Sequence, residues 1–398
     1  MAVPRRTLPL LYAATFANFC ALGIFFVAIP LYVHNELAGS KAAVGLAVGA
    51  FSVTAVLMRP VVGRGIDRRG RRPFLLLAMT ILILSSLGFF LADTIALVVA
   101  IRLLQGIAGA SFYTTSAAVT TDVAPAERRA SAIAALSLFL YGGFATGPAI
   151  GEWLIDRGGF DLAWRSVAML GAVGLVAVLM LPETGRGIMA VRAELGPSGR
   201  RLLHPAAIGP GLVLMTTAVG YTSITAFSSL YAREIGLSTS GLLYFVFAVS
   251  IIAVRLIVIG GMSDRRGHTV VALPGVAVAG VGLAIMALFP HPATAFVGVA
   301  AFGAGFALVF PALMAFTVDR VGDHERGETL GSFTAFMDIG SGGGGFMVGF
   351  IADRAGFRWA YGVPALLCLF GFTLLASIAR HHREEVHRHP AALPAEPV

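Results

Sequence analysis

Long apolar runs alternate along the chain with short polar turns. The runs cover residues 8–33, 42–62, 73–91, 95–122, 130–155, 162–181, 206–232, 239–260, 269–289, 293–319, 328–352 and 357–380. Each is near the roughly 20 residues that a bilayer core requires. Backbone in lipid must satisfy its hydrogen bonds within the segment, and these runs are too long for barrel strands, so helices are predicted throughout. The expected fold is therefore an all-α membrane protein with twelve transmembrane helices, numbered below as spans 1 to 12. One long polar stretch, PETGRGIMAVRAELGPSGRRLLHP at 182–205, interrupts the pattern. It reads as a linker between two six-helix bundles, 1–181 and 206–380, with 381–398 as a tail. The tail is rich in histidine, and a solvated end explains it more simply than a metal site.

Composition supports the bilayer as solvent. With 57% hydrophobic residues, 13% charged and a mean hydropathy of +0.84, the 398-residue chain has more apolar surface than a soluble core could bury. The formal charge of +8 is almost wholly arginine, since Lys41 is the only lysine. Loops and helix ends on the N-terminal side hold 20 of the 29 basic residues and the opposite ones 6, while Arg59, Arg102 and Arg255 lie inside spans. The positive-inside rule then puts the richer side and both termini in the cytoplasm, with a bacterial cytoplasmic membrane as the expected location. Arg59 and Arg255 lie close enough to that boundary to snorkel. Basic residues confined to turns leave no surface for nucleic acid. The first run is too long for a signal segment and reads as a retained span. Cys20 and Cys368 fall inside apolar runs and suggest neither a disulfide nor a metal site.

The second half repeats the first. Asp67 and Asp264 are 197 residues apart, as are Asp122 and Asp319, Tyr141 and Asp338, Asp156 and Asp353, and Phe160 and Phe357, while Glu127 and Glu325 are 198 apart. One nearly constant offset over most of a half means duplication. Parallel six-helix repeats place a substrate path near the midplane between the halves.

The most charged turn, GRGIDRRGRR at 63–72, lies between spans 2 and 3. Gly63 is expected to let a neighbouring helix approach, and Gly70 to take a backbone conformation closed to other residues. Asp67 is placed to cap the following helix and pair with arginine, and Asp122, at the end of span 4, is placed by topology to receive Arg71. Gly63, Asp67, Arg68, Gly70, Arg71 and Arg72 match in order the pattern G-x-x-x-D-R-x-G-R-[KR]. This resembles the signature between helices 2 and 3 of the major facilitator superfamily. The second half keeps Gly260, Asp264, Arg265 and Gly267, with His268 where the first has Arg71. The resemblance implies a cytoplasmic gate at Asp67, Arg71 and Asp122, with Asp264, Arg265 and Asp319 as its second-half counterparts. Topology alone accounts for Arg64, Arg69 and Arg72.

Two more stretches resemble the superfamily's twelve-helix drug:proton antiporters. GGFATGPAIGEW in span 5 carries Gly143, Gly147, Pro148 and Gly151, similar to G-x-x-x-G-P-x-x-G-G, with Glu152 in place of the last glycine. Small residues four apart permit tight helix packing, and the proline kinks the helix within it. RLLQGIAGA in span 4 carries Arg102, Gln105, Gly106 and Gly109, similar to R-x-x-Q-G-x-x-G. The resemblance implies proton antiport. Asp338 lies ten residues into span 11, about 15 Å deep in a core of roughly 30 Å. A charged group there is costly and is by default functional, so Asp338 is a candidate proton carrier; the alternative is an acid permanently paired with an arginine or a backbone donor. Span 1 has Asn18 where many of these exporters carry an acid, which shifts coupling onto Asp338 and Glu152, with Arg102 as a further coupling or gating partner. Whether Arg102 and Glu152 face each other is left open.

A polar stripe in span 7, Thr217, Tyr221, Thr225 and Ser228, shares one helix face. With Asn18, Tyr113, Tyr141, Tyr244, Phe310 and Phe336 it forms the expected substrate cavity, whose aromatic character suits an amphipathic or hydrophobic solute. GSGGGGF at 340–346 lacks the G-K-[ST] of a phosphate loop, and neither HExxH nor GxSxG in a strand-turn-helix context is present. No enzyme activity and no cofactor are expected. The expected partners are a small-molecule substrate, protons and membrane lipid, with a monomeric chain. The leading reading is proton-coupled export; the runner-up is a symporter or facilitator importing a sugar or other metabolite, and a non-transporting receptor is the third.

Overall fold

A computed structural model describes residues 6–125, 128–184, 203–258, 267–322 and 325–388. Among these residues every regular element is helical. Helices Thr7–Leu31, Lys41–Arg69, Arg72–Gly88 and Ile95–Val123 carry spans 1 to 4, and Pro205–Glu234, Gly241–Val258, His268–Leu288 and Pro292–Val318 carry spans 7 to 10. Two further runs, Arg129–Leu179 with 51 residues and Arg326–Arg388 with 63, are much too long for one crossing. Gly159 (φ 67°) and Gly356 (φ 77°) interrupt their helical geometry. Neighbouring contacts show the chain doubling back there. Gly142 and Gly151 lie beside Phe16 and Ile24, whereas Gly171 and Gly174 lie beside Ile83 and Met79. Likewise Gly340 and Gly344 run beside Met215 and Val219, and Gly371 returns beside Thr216. Among the described residues, nine helical runs, these two included, are long and apolar enough to cross a membrane, and Gly241–Ile257 is a shorter apolar helix.

Apolar side chains remain exposed around the outside, Leu84, Val176, Ile257 and Phe370 among them. In a soluble protein such a surface would aggregate, whereas in lipid it is already in its preferred solvent. The interior is finely packed, with the Phe25, Phe89 and Trp164 rings clustered in spans 1 to 6 and Tyr231, Phe357 and Tyr361 in spans 7 to 12.

GRGIDRRGRR is not the loop expected. The span-2 helix continues through it to Arg69, and only Gly70, at φ 94°, breaks the chain before the next helix begins at Arg72. A left-handed residue suffices to turn so short a connection, and glycine takes it without the Cβ penalty. Asp67 lies in the last turn of the span-2 helix, and its side chain lies outside the described residues. At the start of the next helix the Glu183 carboxylate accepts the backbone N–H groups of Arg71 (2.6 Å) and Arg72 (3.2 Å).

Candidate functional site

Among the described residues, spans 1–6 meet spans 7–12 mainly along two antiparallel helix pairs, span 2 with span 11 and span 5 with span 8, with a smaller contact between spans 1 and 7. Glycine makes the first pair close. A side chain at Gly349 would come within 2.7 Å of the Gly45 Cα, and one at Gly345 within 2.9 Å of the Gly49 nitrogen. The run GSGGGG serves two faces at once: Gly342 and Gly345 press on span 2, while Gly340 and Gly344 press on Met215 and Val219 of span 7. Backbones this close gain dispersion contacts along the whole seam. The glycine and proline signature of span 5 packs on span 1, with Gly143 and Gly147 against Cys20, Pro148 against Gly23 and Gly151 against Ile24.

Acids cap this seam at the face opposite the arginine-rich turns. Glu152 accepts the backbone N–H groups of Ser240 (2.8 Å) and Gly241 (2.7 Å), and the hydroxyls of Thr239 (2.5 Å) and Ser240 (3.2 Å). Gly241 opens the span-8 helix, so a carboxylate from span 5 sits on unpaired amides at the positive end of that helix dipole. Asp353 does the same in reverse, accepting the N–H of Lys41 at 3.1 Å where the span-2 helix begins. The Lys41 ammonium pairs with Glu234 at 3.2 Å and lies 4.1 Å over the Phe357 ring.

Deeper in, the same seam carries charge. Arg59 of span 2 grips Asp338 of span 11 with both arms of its guanidinium, Nη2 donating to Oδ1 at 2.9 Å and Nε to Oδ2. The two side chains are 28% and 14% exposed. Further along, nothing among the described residues lies within 4 Å of where a Cβ would stand on Gly63 or on Gly331. The Arg255 guanidinium of span 8 lies 4.6 Å over the Tyr141 ring of span 5. Tyr113 of span 4 is within electrostatic range of Tyr141, Arg255 and Arg59. It is 39% exposed, yet at about 100° per residue it points away from the lipid-facing Leu97 and Leu104 of the same helix. Its exposure is therefore on the side of span 4 away from those leucines.

At that face Arg71 donates through Nε to Asp122 at 3.1 Å and through Nη1 to the Ile66 carbonyl at 2.5 Å. The repeat reproduces the pair, with His268 Nε2 2.7 Å from Asp319 Oδ2. Both pairs lie within their own set of six spans. Arg68 is in the exposed last turn of the span-2 helix, while Asp264 and Arg265 lie outside the described residues.

The model of one protein family, described as the Major Facilitator Superfamily, matches residues 11–345 and again 211–397. The chain belongs to the Major Facilitator Superfamily. As a member it is an integral membrane transporter for a small-molecule substrate. Among curated relatives, an uncharacterized MFS-type transporter of Salmonella typhimurium is 29% identical over 381 residues, covering 93% of this chain and 96% of the relative. Another, from Pseudomonas aeruginosa, is 29% identical over 377 residues, covering 93% and 92%. Among solved structures, the nucleoside transporter NupG shares the fold with a TM-score of 0.72 at 15% identity, covering 93% of this chain and 98% of that one. A bacterial homolog of the human lysosomal transporter Spinster, inward-facing and unoccupied, gives 0.72 at 18% identity, covering 94% and 96%. The human organic anion transporter MFSD10 gives 0.68 at 19% identity, covering 93% and 99%.

Within this superfamily fold several expectations change. Arg102 and Glu152 do not meet. Arg102 is buried, donating to the Ala47 carbonyl (3.1 Å) and the Gln105 side chain (2.8 Å) with its guanidinium 4.8 Å over Phe51, while Gln105 reaches Ser85. It binds spans 2, 3 and 4 together. Arg59 and Arg255 do not snorkel, because each is held across the seam. No described residue lies within 4 Å of where a Cβ would stand on Gly63.

The expected cavity set divides. Tyr113, Tyr141 and Tyr221 share the centre, Tyr221 stacking on Phe306. Tyr244 is buried, its hydroxyl on the Thr225 carbonyl. Thr217 and Thr225 bond back to their own helix. Asn18 and Phe336 are buried and Phe310 packs on Phe333. Residues missed by sequence reasoning are Lys41, Glu183, Glu234, Thr239 and Asp353. For two of them a signal existed: Lys41 is the only lysine and stands at a span boundary, and Asp353 repeats Asp156 at the duplication offset.

Proposed function

We propose that this transporter works by alternating access between spans 1–6 and 7–12 and is driven by protons through Asp338. The observation that carries the reading is the Arg59–Asp338 pair, the one acid–base pair found at depth between the two sets of spans among the described residues. A buried ion pair is held by the charge on both partners, and neutralising one leaves the other uncompensated. Protonating Asp338 would therefore release Arg59 and loosen the seam at its innermost contact. The arginine-rich face is read as cytoplasmic by the positive-inside rule. The conformation is then open to the cytoplasm and closed outside by Glu152, Lys41 and Asp353.

The span-5 signature supports export of a small amphipathic compound against entering protons. A second reading, in which proton and solute move together, is favoured by Arg255: a proton on Asp338 would leave two guanidiniums at the seam. In either direction the Arg71–Asp122 and His268–Asp319 pairs are the parts of the cytoplasmic gate, which engage each other only when the cytoplasmic side shuts. Flux of a solute found by thermal-shift screening, measured in proteoliposomes under an imposed pH gradient, separates the two directions. Flux indifferent to that gradient would rule out both.

A further inference from the structure

We infer that the solute carries a negative charge and that Arg255 takes it. The inference rests on the proposed transport between the two sets of spans and names the class of compound carried. Among the described residues, three ionic side chains meet at this seam: Arg59, Asp338 and Arg255. Arg59 spends two donors on Asp338, which leaves Arg255 as the surplus cation and the centre with a formal charge of +1.

The surroundings of Arg255 fit a binding group better than a structural one. Its guanidinium lies over the Tyr141 ring of the opposite set of spans, 4.6 Å from the ring centroid. Its Nε is sealed from solvent and has no hydrogen-bond partner among the described residues. A buried donor left unmade is costly, and more so on a charged group. Arg102, equally intramembrane, shows how this fold treats a structural arginine: it gives it a carbonyl and an amide. Arg255 has an aromatic plate beneath it and donors still to fill, the arrangement in which a guanidinium receives a carboxylate through its planar fork.

The rings near Arg255 indicate the rest of the molecule. Tyr113 packs edge-on against the buried Phe19, Phe19 against Phe144, and Phe144 on Phe26. On the other side Tyr221 stacks on Phe306. One cation beside Tyr141 and Tyr113, with packed aromatic rings behind them, favours an amphipathic monoanion, such as an aromatic or long-chain carboxylate. A cation would meet net repulsion, and a neutral sugar would leave both the surplus charge and the aromatic rings unmatched. The expected amphipathic solute thereby gains a sign.

The test compares three probes of one shape, 2-naphthoate, 2-naphthamide and 2-naphthylmethylammonium, by thermal stabilisation of the purified full-length protein. Naphthoate is expected to raise the melting temperature most. Its apparent affinity should fall roughly tenfold or more in Arg255→Gln and recover in part in Arg255→Lys, which keeps the charge but not the fork. Equal stabilisation by all three, a lead for the amide or the ammonium probe, or stabilisation by none would overturn the inference on the wild-type protein alone, whatever the stability of the variants. Flux separates this inference from the proposal beneath it. Proton-dependent transport of the ammonium probe that needs Asp338 would refute the anion and keep the coupling. Arg255-dependent transport of naphthoate that ignores the pH gradient would keep the anion and refute the coupling.

Discussion

The carboxylate of Asp353 accepts the backbone N–H of Lys41 at 3.1 Å, so the start of the span-2 helix, capped locally by Ser40, also takes an acceptor 312 positions away. Glu152 caps the span-8 helix in the reverse sense. Each half thus closes the face opposite the arginine-rich turns by supplying an anion to a helix start of the other. Glu152→Ala should weaken this closure by about 1–2 kcal/mol, the cost of losing a strong cap, and shift the equilibrium away from the present conformation. The check is labelling of a single cysteine placed at Ser240 from that face, expected to accelerate in the variant. Unchanged labelling would show that the cap contributes nothing to closure.

The glycine seam makes an asymmetric prediction. Gly49→Leu should force spans 2 and 11 apart and favour the opposite-open state, because a side chain at Gly49 would meet the Gly342 carbonyl at 2.8 Å. Gly63→Leu meets no described residue in the present state and should trap the protein in it, because a leucine there would block helix approach when the other side shuts. Distances between spin labels on spans 2 and 11 would report the two substitutions moving the population in opposite directions.

The two pairs at the arginine-rich face differ in burial, and their contributions should follow. Arg71 and Asp122 are 6% and 12% exposed, against 17% and 63% for His268 and Asp319. Asp122→Asn should cost about 1.5–3 kcal/mol, as for a hydrogen bond to a charged group. Asp319→Asn should cost about 0–1 kcal/mol, as for an exposed pair. Melting temperatures of the two variants under one set of conditions give the comparison, with Asp122→Asn the lower.

Arg102 should matter for stability and not for coupling. Arg102→Ala leaves the Ala47 carbonyl and Gln105 short of a donor inside the membrane, a loss of about 1–3 kcal/mol. Its remaining flux should keep the wild-type dependence on the pH gradient. A changed dependence would return Arg102 to the coupling machinery.

Hydropathy made the helical membrane fold legible in the sequence, because a bilayer imposes length and apolarity on every crossing segment. The duplication was legible as well, and topology alone brought Arg71 to Asp122. What escaped was facing. Span 2 places Arg59 near a boundary, where snorkelling costs least, and only the packing of Gly45 and Gly49 on Gly345 and Gly349 turns it towards Asp338. Glu152 stood out as an acid, but its partners are backbone amides, which carry no sequence signal. Tyr244 and Thr225 read as cavity residues because polarity on a helix face looks the same whether it meets water or a neighbouring carbonyl.

The central claim is that Asp338 carries the driving proton. Flux into proteoliposomes with and without an imposed pH gradient, compared for wild type and Asp338→Asn, tests it most directly. The account predicts gradient-driven flux in the wild type, and in the variant its loss with exchange at equal pH retained. Gradient-driven flux at the wild-type level in Asp338→Asn would contradict it.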